Sequence, residues 1–290
     1  MNLVAPGASN TPLSWPADAR IAVMITVMFE SWPEGKAPPY SPMASPLREG
    51  TIDRQGFAWA EYGGRAGIWR LLQIFERFGV KVTVAANAKS LERHPEAARA
   101  IVEHGHEVAG HGYTQDQFMV YLEREEERAL IERCSAIIEH TTGKRPVGWA
   151  SPRMTASLNT ADLLAQAGFR WHGDVHDADL PVRIVTAAGD LVGLPHSEFT
   201  DNRVMRGSPR DFQSVYTDTF DFLYRHEAPA LLNLTVHAHW GGRPPMAAVL
   251  SNVLDHLSRA PGVWFARHDE VADWVTAQGS LPAARTPTPA

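Results

Sequence analysis

The run RIAVMITVM, residues 20 to 28, constrains the fold more than any other stretch. A near-continuous series of Val, Ile and Met with no polar alternation reads as a strand covered on both faces, the kind found inside a parallel sheet. Such a strand ends at Met28, and Glu30 follows it. Comparable runs recur at KVTVAANA, HEVAG, DLVGLP, ALLNLTVHAH and GVWFA. Between them lie stretches of helical period. GRAGIWRLLQIFERFG sets Ile68, Leu71, Leu72, Phe75 and Phe78 on one face and stops at Gly79, and HPEAARAIVEHG has Pro95 near its start and Gly105 after its end. Further helices are expected over about 123 to 140, 160 to 167, 211 to 225 and 245 to 259, with a last one from Asp269. Strand and helix in alternation imply a parallel sheet with crossover helices, here an α/β barrel that is closed or nearly closed.

The chain has 290 residues, within the range of one large barrel, so we read residues 20–277 as a single domain. Residues 1–19 read as an irregular lead-in and 278–290 as a flexible tail. The net charge of −6, without a long basic stretch, argues against nucleic acid or an anionic membrane as partner and for a small molecule. No apolar run approaches the roughly 20 residues that span a bilayer, and the N-terminus has no signal-peptide pattern, so a cytoplasmic location is expected. Cys134 is the only cysteine and falls in a helical stretch, which makes it structural. His104 and His106 straddle a helix end and read as a cap and a surface residue, and EREEER (123–128) reads as a solvated helix face.

Barrels of this type carry chemistry at the C-terminal ends of their strands. Four residues fall there: Glu30, His111 after HEVAG, Arg153 after VGWA, and His237 in LLNLTVHAH. A carboxylate can take a proton from water or bind a metal, an imidazole can protonate a leaving group, and a guanidinium can hold a carbonyl or anionic oxygen. Gly110 and Gly112 let the backbone bend and aim His111. His111 would begin a metal-ligand pair at i and i+4, but position 115 is Gln115. His237 and His239, at i and i+2, share a face if the strand continues. Of the two, His237 is expected to face the site. Trp32, Trp149 and Trp240 lie in the rim loops and could wall a pocket for a planar ligand.

These residues, together with WPADARIAV, EYGGRAGIWRLL, HPEAARAIVEHGHEVAGHGY, GKRPVGWASPR, HWGGRPPMAAVL and GVWFARHDEVADW, resemble the polysaccharide deacetylase (NodB-homology, carbohydrate esterase 4) superfamily over residues 15 to 276. Within it the chain is similar to the intracellular branch that includes the allantoinase PuuE and cyclic imide hydrolases. The resemblance implies a distorted (β/α) barrel of about seven parallel strands and, in metal-dependent members, an Asp-His-His zinc site with a further Asp as base. Carried onto this chain, the metal-binding Asp matches Glu30, the first His matches His111 and the second matches Gln115. The base matches Met28, the leaving-group acid matches His237, and the branch's arginine matches Arg153.

Met28 cannot take a proton, and Gln115 offers zinc only a neutral amide oxygen. The expectation is therefore either no cofactor or a weakly bound divalent metal, zinc being possible, on Glu30 and His111. The resemblance also implies a homo-oligomer, a dimer or tetramer, with the lead-in as a candidate contact. The expected activity is hydrolysis of a cyclic amide or imide. Glu30, His111, His237 and Arg153 would be catalytic, and Gln115, Trp149, Trp32 and Trp240 would bind substrate. The alternatives are metal-dependent N-deacetylation of an amino sugar and a noncatalytic small-molecule binding protein with a degenerate site.

Overall fold

All nine residues of the first strand, β1 (Ile21–Phe29), are buried, as its unbroken apolar pattern requires. The computed structural model describes residues 13–36, 38–43, 47–48, 50–279 and 281–284. After β1 come β2 (Thr83–Ala86), β3 (Glu107–Gly110), β4 (Gly148–Trp149), β5 (Trp171–Val175), β6 (Val182–Ile184), β7 (Leu191–Pro195), β8 (Ala230–His237) and β9 (Val263–Ala266). The helices are α1 (Arg54–Tyr62), α2 (Ile68–Phe78), α3 (Ala88–Arg93), α4 (Pro95–Glu103), α5 (Arg124–Thr142), α6 (Thr160–Gln166), α7 (Pro209–His226), α8 (Ala238–Gly241), α9 (Pro244–Ser258) and α10 (His268–Gln278).

The strands form one curled, open sheet in the order β6-β7-β5-β4-β3-β2-β1-β8, a distorted half-barrel. β8 takes one edge of β1 along Ile21–Met28. The other edge is shared, β9 pairing with Ile21–Met24 and β2 with Thr26–Phe29. Nine strands appear where about seven were expected. β4 and β6, two and three residues long, are too short to show a period in sequence. β6 is also antiparallel to β7, which corrects the all-parallel expectation. The few residues that join β6 to β7 can close a hairpin but are too few for a crossover.

Side chains alternate along the strands, and this sorts the interior into two layers. Ile21, Val23, Ile25, Val27 and Phe29 of β1, with Leu232, Leu234 and Val236 of β8, pack outward against α2, α4, α7 and α9. Ala22 and Met24 of β1, Ala109 of β3 and Leu231 of β8 point inward with Trp171 and Leu194. Further along, Met28 meets Ala85 and Ala150. Continuing the same parity brings Glu30, His111 and His237 to the inner face at the C-terminal rim.

Several local expectations change. Trp15 in the lead-in is buried, and its Nε1 donates to Ala230 O at 2.7 Å, so residues 13–19 are anchored to β8, whereas 1–12 lie outside the described residues. At the other end, Pro282 O accepts from Arg183 N and Ala284 N donates to Arg183 O, both at 2.8 Å, which ties this part of the tail to β6. The rest of the expected tail from 285 on lies outside the described residues. Glu127, expected on a solvated face, is buried and accepts from Ser157 Oγ at 2.6 Å and from Thr160 Oγ1. His106 is buried, its Nδ1 accepting from Val82 N at 3.1 Å. Cys134 is buried, and burial pushes its thiol up to about 12, as an inert packing residue requires.

Candidate active site

Strand register sets the site. Met28 pairs with His237 across β1 and β8, Phe29 with Ala86, and Ala86 with Gly110. One residue beyond these pairs, Glu30 and His111 leave their strands level with His237, at the floor of a cavity of about 1260 Å³ lined by all three. Gly112 holds φ at +70°, and a Cβ there would stand 2.6 Å from Pro152 Cγ, so only glycine permits this bend after His111.

Glu30 is fully enclosed and ringed by polar groups that stand slightly too far for strong bonds. Its Oε1 lies 3.6 Å from His111 Nε2 and 3.7 Å from His237 Nε2. Its Oε2 lies 3.4 Å from Tyr40 Oη and 3.9 Å from His239 Nδ1. Burial alone would raise the carboxyl, but the charge of His237, the contact with His111 and the charge of His239 outweigh it and bring the pKa to about 2.

His237 has a firm partner. Its Nδ1 is 2.5 Å from Asp201 Oδ1, and its backbone N donates to Asp201 Oδ2 at 2.8 Å. Burial opposes protonation, yet the charges of Asp201 and Glu30 raise the imidazole to about 9. It is therefore a cation at neutral pH with its Nε2 proton toward Glu30. His111 Nδ1 donates to Ala150 O at 2.7 Å, which leaves its buried Nε2 without a hydrogen-bond partner. His239 is held differently. Burial drives it down to about 3, neither ring nitrogen has a partner, and its ring sits edge-on to Trp59 and Trp32 at centroid distances of 4.9 and 5.5 Å.

The donor set does not fit the three-ligand zinc centre implied by the resemblance. Met28 presents a thioether at the cavity floor, and the Gln115 Oε1 is within 3.5 Å of Asn87 Nδ2. His111 and Glu30 remain as two donors, and among the described residues no group of three His, Cys, Asp or Glu side chains is arranged to hold a metal.

The expected residues divide accordingly. Glu30, His111, Gln115, Arg153 and His237 all line the one cavity. Arg153 does so from left-handed backbone, φ 52° and ψ 25°, followed by Met154 at φ 55°, a strained pair for residues with a Cβ. The aromatic wall is not formed as expected. Trp149 is fully buried against Phe169 in the core, because its β4 position turns it away from the cavity. Trp32 packs on His239, and Trp240 donates from Nε1 to Asp201 O at 3.0 Å, so both support the histidines from behind and do not line the cavity.

Asp201 and Tyr40 escaped the sequence reading, and His239 was weighed there but set aside in favour of His237. Strand β8 ends at His237 and a helical turn begins at Ala238, so the shared-face premise fails while both rings still approach Glu30. Only the HxH spacing pointed to His239. Asp201 opens a four-residue helical turn and Tyr40 sits in a turn, both too short to show a period.

Comparison with known proteins agrees with this architecture. Residues 60–172 match the polysaccharide deacetylase family model. A probable polysaccharide deacetylase from Pseudomonas aeruginosa PAO1 is 32% identical, with a TM-score of 0.82 over 93% of this chain and 96% of that one. The Puue allantoinase is 30% identical, with a TM-score of 0.81 over 92% and 95% of the two chains. The peptidoglycan deacetylase of Helicobacter pylori is 27% identical over 248 residues, 73% of this chain and 84% of that protein.

Proposed function

Because the chain belongs to the polysaccharide deacetylase family and is a hydrolase of non-peptide carbon–nitrogen bonds, we propose that it cleaves an amide bond of a small molecule with its own side chains, no step passing through a metal. The observation that carries this reading is the floor of the cavity, where ionised Glu30 stands between protonated His237 and the unpartnered Nε2 of His111.

Water between Glu30 and His111 gives up a proton as its oxygen bonds to the amide carbon. A carboxylate with a pKa of about 2 is a weak base by itself, so the His111 imidazole beside it takes the larger share. Arg153, or the Gln115 Nε2 donor, meets the oxyanion. His237 then passes its Nε2 proton to the nitrogen as the C–N bond breaks, leaving a carboxylate and an amine. Asp201 keeps the imidazole oriented and charged until that step.

For the substrate, the family match and the deacetylases among the relatives support an N-acyl amide such as an acetylated amino sugar. A ring amide or imide is the second reading. It is favoured by Met28 and Gln115, which depart from a zinc-dependent site, and by the likeness to an allantoinase. We place the reaction in the cytoplasm, in a homo-oligomer. Among the described residues no helix is long and apolar enough to cross a membrane, and light scattering tests the assembly.

The deciding experiment assays chelator-treated protein, with its metal content measured, against N-acetylglucosamine oligomers and a panel of hydantoin, succinimide, maleimide and allantoin. Turnover that survives chelation supports the reading, and the substrate turned over chooses between its two forms. Activity that needs stoichiometric zinc, or saturable binding with no turnover of any amide, overturns it.

A further inference from the structure

Ten arginines among the described residues are matched to acids, for example Arg93 with Glu61 at 3.0 Å, Arg145 with Glu132 at 2.8 Å, and Arg267 with Asp269 at 2.8 Å. The arginines of the cavity are not among them. Arg153, Arg203 and Arg206 all line it, all are exposed, and none makes an ion pair or a side-chain hydrogen bond to the described residues. Arg153 has the ring of Phe118 5.8 Å from its guanidinium carbon, and its charge reaches the Tyr40 hydroxyl.

Three guanidiniums thus face one free carboxylate on the same wall, Glu198, in a protein whose overall charge is −6. Like charges that outnumber the carboxylate on their wall cost stability through mutual repulsion, and an anion entering among them relieves it. Arg203 sits on the short helical turn Asp201–Val204, whose Asp201 is buried and bonded to His237. The turn is therefore fixed against the floor, and the rim is held at a set distance from the catalytic groups. A guanidinium presents paired N–H donors that match a carboxylate.

We propose that Arg203 and Arg206 form an anion-binding rim beside Arg153, so that the substrate of this site is an amide that also carries a carboxylate or comparable anionic group away from the bond cleaved. The proposal rests on the amide-hydrolase reading for the word substrate, but the rim itself is defined without it. It separates this anion from the carboxylate made in the reaction, which forms at the floor beside Glu30. Specificity then lies in a segment, 203–206, apart from the residues that move protons.

Calorimetric titration of the full-length protein with glutarate, and with 1,5-pentanediol as an uncharged chain of the same length, tests it. Glutarate should bind at least about tenfold more tightly than the diol at low salt and weaken as salt rises, since the contacts are exposed charges. The double variant R203Q/R206Q should lose about tenfold in glutarate affinity with its diol affinity unchanged. Both side chains are exposed, so the fold should survive the changes, and circular dichroism confirms it. Glutarate binding that is absent, no tighter than that of the diol, or unaltered in the double variant overturns the proposal. These titrations read binding without turnover. A chain that takes glutarate at the arginines but hydrolyses no amide would defeat the hydrolase reading and leave the rim standing.

Discussion

Two carboxylates are buried on the inner face of the same curled sheet, and they are treated in opposite ways. Glu107 opens β3 at the N-terminal end of the barrel. It accepts from Thr83 Oγ1 at 2.6 Å, Trp171 Nε1 at 2.8 Å and Asp269 N at 3.0 Å. Glu30 follows β1 at the C-terminal end and has only contacts of 3.4 to 3.9 Å. Burial, reinforced by the charge of Asp269, raises the Glu107 carboxyl, whereas the imidazoles around Glu30 overcome burial and lower it to about 2. The close, neutral-donor network belongs to structure. The loose ring of charge, with unpartnered nitrogens beside it, is the arrangement that a substrate can complete.

The sharpest way to break this contrast is to neutralise Glu30. Glu30→Gln should lower kcat by about a thousandfold or more, because the water-activating charge and the partner of His237 both go. It should also change the acid limb of stability. A carboxyl lowered in the folded state contributes stability above its ordinary pKa of 4.5 that is lost as pH falls toward 2, so the variant should unfold less steeply in acid. Denaturant titrations across that range read this, and turnover within tenfold of the parent would remove Glu30 from the mechanism.

Next in size is Asp201→Asn. His237 must be protonated to serve as the acid, so kcat/KM should fall as pH rises through about 9. Removing the charge of Asp201 should cut the plateau by about a hundredfold and move the alkaline limb toward the ordinary histidine range near 6.5. A limb that stays in place in the variant would mean that some other group titrates there.

How much of this was legible follows from which features have a period. β1, α2 with its Gly79 cap at φ 66°, and α4 with Pro95 were readable because burial repeats along each of them. Glu30, His111 and His237 were found as residues at the ends of readable strands. β4 and β6 are too short to repeat anything, and β6 reverses direction through a turn that composition does not reveal. Asp201 reaches His237 from 36 residues away and Tyr40 reaches Glu30 across a ten-residue stretch with no period, so only the folded chain makes them neighbours. Trp149 misled because a rim loop and a two-residue strand look alike in sequence, whereas the pleat decides which way the ring turns.

At the other carboxylate the expected effect falls on stability. Glu107→Ala strands the Thr83 hydroxyl, the Trp171 indole and the Asp269 amide, which should cost roughly 3 to 5 kcal/mol of unfolding free energy. Turnover of the folded protein should be kept. A carboxyl raised in the folded state contributes stability at low pH that is lost as pH rises through its raised value, so the parent should weaken on that alkaline side and the variant should not. Equal pH slopes in the two proteins would show that Glu107 titrates normally.

The smallest effect tests the boundary between the two regions. His239 is at the rim but resembles a core residue: it is wholly buried, held near a pKa of about 3 by burial, and walled by Trp32, Trp59 and Tyr40. Two unpartnered ring nitrogens in such a box cost free energy that a phenyl ring would not. His239→Phe should therefore stabilise the fold by about 1 kcal/mol, read as a rise in Tm, while kcat/KM drops by no more than about tenfold. The drop would come from Glu30, whose Oε2 would keep only Tyr40 to orient it. A loss near that of Glu30→Gln would instead place His239 among the groups that move protons, and the neutral imidazole 3.9 Å from Oε2 would then be the base in place of His111.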